Sequence, residues 1–162
     1  MRWIWIDKFL EFKSGESAVA LKNVTLAEEH IHDHFPGYPT MPECLMIEAM
    51  AQTAGILVGE ARKFAEKVIL AKVKKAKFYD CVVPGDTITL HAQIESLADE
   101  AASTVGKIMR GEETIAEVNL MFSHIDQNLG GLEFPEENFV FTDMFESLIT
   151  GFTEHNVTEK SG

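Results

Sequence analysis

His34-Phe35-Pro36-Gly37-Tyr38-Pro39-Thr40-Met41-Pro42, running on into Glu43-Cys44-Leu45-Met46-Ile47-Glu48-Ala49-Met50-Ala51-Gln52, decides how this chain folds. Its first half is a stiff loop. Proline fixes its own φ and biases the preceding residue away from helix, so Phe35, Tyr38 and Met41 are expected in extended conformations. The second half starts a helix. Thr40 with Glu43 three residues on fits a capping box, and Pro42 suits a first turn, which predicts a helix from about Met41 to about Phe64. From Leu45 to Val58 apolar residues cover every face except a line through Glu48, Gln52, Gly55 and Gly59. Such a helix is buried all round, with one polar, small-residue stripe.

The rest of the chain supplies the wrapping. Residues 2–12 mix aromatic and β-branched side chains and stop at the turn Ser14-Gly15-Glu16-Ser17, after which Ala18 to Thr25 reads as a second strand. Beyond the helix, Val68 to Phe78, Thr87 to Leu97, Ala101 to Arg110 and Thr114 to Ser123 each approximate a period of two, clearest in Ile88, Leu90, Ala92 and Ile94. Pro84-Gly85-Asp86, Asp99-Glu100 and Gly111-Glu112-Glu113 mark the turns between them. An antiparallel meander with a single helix to cover predicts an α+β domain, residues 1–123, in which the sheet wraps one long central helix. Residues 124–162 change character: eight acidic residues, one lysine and five of the eleven phenylalanines mark an acidic, aromatic-rich C-terminal extension. Within it Met144, Phe145, Leu148, Ile149 and Phe152 recur at helical spacing, predicting a short amphipathic helix.

The totals narrow the function. At 162 residues one domain is the default, and 46% hydrophobic with 25% charged residues is ordinary for a compact globular chain. A net charge of −12 argues against a general nucleic-acid binder, which needs clustered cations. Cys44 and Cys81 alone make no disulfide framework, and without a secretion signal at the N-terminus a cytoplasmic protein is expected. The longest apolar run, Cys44 to Val58, falls short of the roughly 20 residues that cross a bilayer, so no membrane span is expected.

His-Phe-Pro-Gly-x-Pro-x-Met-Pro followed by Leu-x-Ile-Glu-Ala-x-Ala-Gln resembles the signature of the β-hydroxyacyl-[acyl carrier protein] dehydratases of fatty-acid synthesis. Ala18 to Thr25 and Val82-Val83-Pro84-Gly85-Asp86 agree with it, and the likeness covers roughly residues 5–123. The resemblance implies a hot-dog fold, and a homodimer or trimer of dimers in which His34 of one protomer works with Glu48 of another. It further implies a substrate-binding role for Gly37, Glu43, Cys44 and Gln52, and acyl carrier protein as the partner. The chain departs from the usual pattern at Asp33, Glu43 and Cys44, the first two of which stand where the family carries glycine.

Dehydrating a β-hydroxyacyl thioester needs a base for the α proton and an acid for the departing hydroxyl. A neutral histidine suits the first role. A glutamate embedded among Leu45, Ile47 and Met50 is expected to stay protonated and suit the second. The helix start and Gly37 offer N–H groups to the thioester oxygen, so neither metal nor organic cofactor is required. The plainer alternative for Glu48 is a carboxylate satisfied by Gln52, which on either reading orients it. His30, His32 and His34 would share one face of an extended chain, but only His34 belongs to the family pattern; no metal site is expected, and His30 and His32 are expected in solvent. Cys44 is expected to be a small core residue.

Arg62, Lys63, Lys67, Lys72, Lys74, Lys75 and Lys77, half of the chain's cations, face one acid, Glu66, in their segment. This patch fits docking of an acidic carrier protein, and equally a solvated helix end and strand face. Two other functions share the fold: a thioesterase, and a non-catalytic acyl-binding or assembly subunit.

Overall fold

The computed structural model describes residues 3–125, together with Leu148 and Thr150. Six strands and one long helix carry the fold: β1 (Lys8–Lys13), β2 (Ser17–Asn23), α1 (Glu43–Ala61), β3 (Lys67–Phe78), β4 (Thr87–Leu97), β5 (Ala101–Arg110) and β6 (Glu113–Ile125). A single 3₁₀ turn, Glu29–Ile31, precedes the loop that holds His34. The strands form one antiparallel sheet in the order β1-β2-β4-β5-β6-β3.

Register explains why the sheet closes on the helix. Ala20, Leu90, Ile108 and Ala116 pair in sequence across β2, β4, β5 and β6, and all four are fully buried. Inward side chains therefore form continuous rungs beneath α1, of whose 19 residues 12 are buried. This is the α+β hot-dog arrangement that the resemblance implies. Among the described residues α1 is long and apolar enough to cross a membrane, but it is the core helix, mostly buried within the sheet.

Several boundaries differ from expectation for local reasons. β1 begins only at Lys8, because residues 3–7 are held by the helix as much as by the sheet. α1 begins at Glu43 with Pro42 as its N-cap and no side-chain cap, so the expected capping box does not form; the Thr40 hydroxyl donates to the His34 carbonyl oxygen instead, at 3.4 Å. The helix stops at Ala61, and the next turn is closed off by Lys63 and Phe64 at φ 55° and 52°. Leu148 is helical and packs on the core; Met144, Phe145, Ile149 and Phe152 lie outside the described residues.

One inward position of β2 is a lysine. Lys22 is 5% exposed, with its ammonium ion-paired to Glu28 and donating to the Asn23 carbonyl oxygen at 2.8 Å. A buried ammonium without such partners would cost several kcal/mol.

Gly106 fixes the distance between helix and sheet. A Cβ there would lie 2.6 Å from Met50 Sδ and 2.8 Å from the Val118 carbonyl oxygen. Met50 can shift, but a strand carbonyl cannot. Gly106→Ala is expected to destabilise the fold by about 1–3 kcal/mol, the usual cost of overpacking, measured as a lowered denaturant midpoint at unchanged m-value.

Candidate active site

His34 sits at the end of a turn that its own loop builds. Phe35 and Tyr38 exchange backbone hydrogen bonds of 3.1 and 3.0 Å, with Pro36 and Gly37 between them and Gly37 at φ +81°. That is the residue pattern of a type II turn, and only glycine holds this φ without strain. Phe35 and Tyr38 flank this turn, and both rings are exposed. The His34 ring stacks on Phe35 at a centroid distance of 4.2 Å.

Hydrogen bonding sets the histidine's polarity. His34 Nδ1 lies 3.1 Å from the Thr40 carbonyl oxygen, which can only accept. Nδ1 therefore carries the proton, and in the neutral ring Nε2 keeps its lone pair. A second bond, from the Thr40 N–H to the His34 carbonyl oxygen at 2.7 Å, ties the two residues together and fixes the ring's base.

Glu48 lies one and a half turns into α1 and is half-buried, not buried as expected; Ile47 and Met50 occupy other faces of the helix, and Leu45, one turn earlier on the same side, is itself only half-buried. Its Oε1 accepts from Trp3 Nε1 at 3.1 Å and from Gln52 Nε2 at 3.0 Å. Gln52 is buried and clamped on both sides, accepting from the Trp5 N–H at 2.8 Å and donating to the Trp3 carbonyl oxygen at 3.0 Å. Because a backbone N–H can only donate, the Gln52 amide has one allowed orientation, and its NH₂ faces the carboxylate.

His34 and Glu48 make no hydrogen bond with each other within the chain. At the helix start, Glu43 and Cys44 are exposed, and their N–H groups have no intrahelical acceptor. Cys44 is thus not a core residue. The seven cations also separate: Arg62 pairs with Asp99, Lys74 with Glu95 and Lys75 with Glu117, whereas Lys63, Lys67, Lys72 and Lys77 form no ion pair among the described residues. Lys77 lies over the Tyr79 ring at 4.8 Å. A groove of about 530 Å³ opens on the sheet face away from α1, lined by His91, Gln93, Lys107 and Glu117, and neither His34 nor Glu48 borders it.

The other histidines differ. His32 is exposed and its ring meets the Leu26 carbonyl oxygen at 3.2 Å. His30 is not in solvent: its ring packs edge-on against buried Trp5 at 4.9 Å. Among the described residues no three His, Cys, Asp or Glu side chains are placed to share a metal ion.

A long helix wrapped by an antiparallel sheet defines a hot-dog fold, here with a loop histidine just before the helix and a glutamate in its second turn. The FabA-like domain family matches residues 3–119, and the chain belongs to it. Among curated proteins it is 38% identical to the 3-hydroxyacyl-[acyl-carrier-protein] dehydratase FabZ of Desulforamulus reducens, over 75% of this chain and 86% of that one. It is 40% identical to the FabZ of Koribacter versatilis, over 71% and 75%. Solved structures agree on the fold alone: the dehydratase heterocomplex ApeI:P of Xenorhabdus doucetiae matches with a TM-score of 0.62 at 15% identity, over 76% of this chain and 84% of that one. The E. coli PaaI protein of the phenylacetic acid degradation operon matches with a TM-score of 0.59 at 15% identity, over 74% and 79%.

Burial carries a pH consequence. Desolvation against Trp5 holds the His30 imidazole below the ordinary histidine range, opposed by Glu28 and assisted by Lys22 and His34. Burial does the same to His91, opposed by Glu11 and assisted by Lys107. Both groups bind a proton more readily unfolded than folded, so their contribution to stability is present above about pH 6.5 and is lost as pH falls below it. Asp80 and Glu117, lowered by hydrogen bonds from Arg110 and Lys75, act with the same sign but at lower pH. The urea midpoint is expected to be lower at pH 5.5 than at 7.5, and His30→Phe, which keeps the ring contact, should narrow that difference.

Proposed function

We propose that His34 and Glu48, contributed by two copies of this chain, dehydrate 3-hydroxyacyl-[acyl carrier protein] thioesters to trans-2-enoyl thioesters. Membership of the dehydratase family makes the chain a hydro-lyase of fatty-acid biosynthesis. The observation that carries the residue assignment is the preset polarity of the two groups: Nε2 of His34 is the free lone pair, and Oε2 of Glu48 is the free oxygen.

In the reaction His34 Nε2 takes the α proton. Negative charge develops on the thioester oxygen, where the N–H groups of Glu43 and Cys44 and that of Gly37 can meet it, helped by the positive end of the α1 dipole. Glu48 gives its Oε2 proton to the β-hydroxyl, which leaves as water as the double bond forms. The cycle ends with His34 protonated and Glu48 ionised, and a proton passing from one to the other through solvent resets the site. No metal or organic cofactor enters these steps.

Two features support a second copy. The two groups do not meet within one chain. β3 is an edge strand, exposed along most of its length, and its backbone can pair with another copy in a homodimer or a trimer of dimers. Lys63, Lys72 and Lys77 remain on the exterior as cations for an acidic carrier protein. The exposed thiols of Cys44 and Cys81 fit a reducing cytoplasm. Residues 1–123 hold all of this chemistry, and residues 124–162 act as an extension to it.

With a 3-hydroxyacyl thioester as substrate, enoyl absorbance should rise with no release of free thiol; thiol without enoyl product would identify a thioesterase, and neither product a binding subunit. His34→Ala and Glu48→Gln are each expected to lose roughly 10²–10⁴-fold in kcat. Mixing the two inactive variants and allowing subunits to exchange should restore up to about a quarter of wild-type activity, the statistical yield of mixed dimers with one intact site.

A further inference from the structure

We propose that Trp3 is a positioning residue for Glu48, an indole grip that holds one carboxylate oxygen so that the other faces the substrate. The inference rests on the dehydratase reading of this site. Trp3 is 57% exposed, so burial does not account for where it sits. Its ring meets Trp5 edge to face at 5.6 Å, and Trp5 is anchored in the core. The only polar atom of the Trp3 side chain, a donor without acceptor capacity, is spent on Glu48 Oε1.

The placement is not a by-product of sheet pairing. Residues 3–7 precede β1, and Gln52 grips the segment at both the Trp3 carbonyl and the Trp5 N–H. One glutamine side chain thus holds the segment and the carboxylate together, and it brings the indole to the acid. Two donors converge on Oε1 and none of the described hydrogen bonds reaches Oε2.

The chemistry follows from that asymmetry. When Glu48 releases its proton from Oε2, the O–H electron pair stays on the carboxylate and the hydroxyl departs as water. The charge left behind is shared with Oε1, where Trp3 and Gln52 stabilise it. Donors to the ionised form make the acid a readier proton donor. They also keep the carboxyl plane from rotating, so the proton leaves from a defined position.

Two measurements test this. The chain has two tryptophans, hence two indole N–H signals in a ¹H–¹⁵N spectrum of the full protein, and Trp3→Phe assigns them by loss of one. In Glu48→Ala the Trp3 signal should move upfield by more than the Trp5 signal; an unmoved Trp3 signal would overturn the contact. In turnover, Trp3→Phe keeps a ring against Trp5, so its melting temperature should stay within a few degrees of wild type. Its kcat should fall roughly tenfold, the scale of a hydrogen bond to a charged group, with KM within about twofold. Wild-type kcat in Trp3→Phe, or a kcat loss matched by a rise in KM, would refute the positioning role in an active enzyme. Absence of turnover in the wild type would instead tell against the dehydratase reading, and the indole signal would still judge the grip.

Discussion

Everything in this fold depends on burying α1, a helix apolar on nearly every face. A single helix of that kind cannot be covered by one flat layer, so five strands contribute inward rungs to it and the sheet must curl. Close approach is permitted by Gly106, whose missing Cβ leaves room for Met50. Glu48 and Gln52, side by side on the polar stripe of the helix, could not be tolerated in such a setting unless their hydrogen bonds were met. The N-terminal segment meets them. Its role in satisfying the helix and its role at the site are therefore the same contacts.

Backbone groups set the orientation of His34 directly and that of Glu48 through a side chain, Gln52. A carbonyl can only accept and an N–H can only donate, so the Thr40 carbonyl sets the His34 tautomer and the Trp5 N–H sets the Gln52 amide, which in turn donates to Glu48. These anchors cannot titrate. Neither the His34 ring nor the Gln52 amide can flip without losing its bond to the backbone.

The fold was readable from the sequence because burial on one face enforces strict alternation, and the helix because its apolar run is too long for a strand. The candidate pair was readable because Pro36, Gly37 and Pro42 restrict the backbone around it. What could not be read depends on distant partners. The Thr40 hydroxyl fits a capping box by spacing, yet the His34 carbonyl competes for it. Glu48 has apolar neighbours in sequence, but Ile47 and Met50 point elsewhere around the helix and Leu45 beside it is only half-buried. Trp3 lies 45 positions from Glu48, and nothing in its own surroundings signals the contact. Lys22 occupies an inward strand position that the period-two rule assigns to an apolar side chain, and its partner Glu28 belongs to the loop that leads to His34. His30 is partly covered by Trp5, another partner distant in sequence.

The basic stretch has a physical tension that composition alone conceals. An open edge strand invites any strand to pair with it, and lysines along such an edge are a known defence against that. β3 carries Lys67, Lys72, Lys74, Lys75 and Lys77, yet two of the five are neutralised by Glu95 and Glu117 on β4 and β6. Neutralising part of the row lowers the repulsion between two β3 strands brought side by side, while the remaining charges still oppose unregistered pairing. A homodimer built on this edge then needs its cations to be placed, at each pairing, where they face water or acids and not one another. Leu70 and Val73, partly exposed on the same strand, are the apolar positions that such a registered pairing would cover. Edge charge, its partial neutralisation and the exposed apolar positions thus bear on one question, in what register this edge could accept another strand.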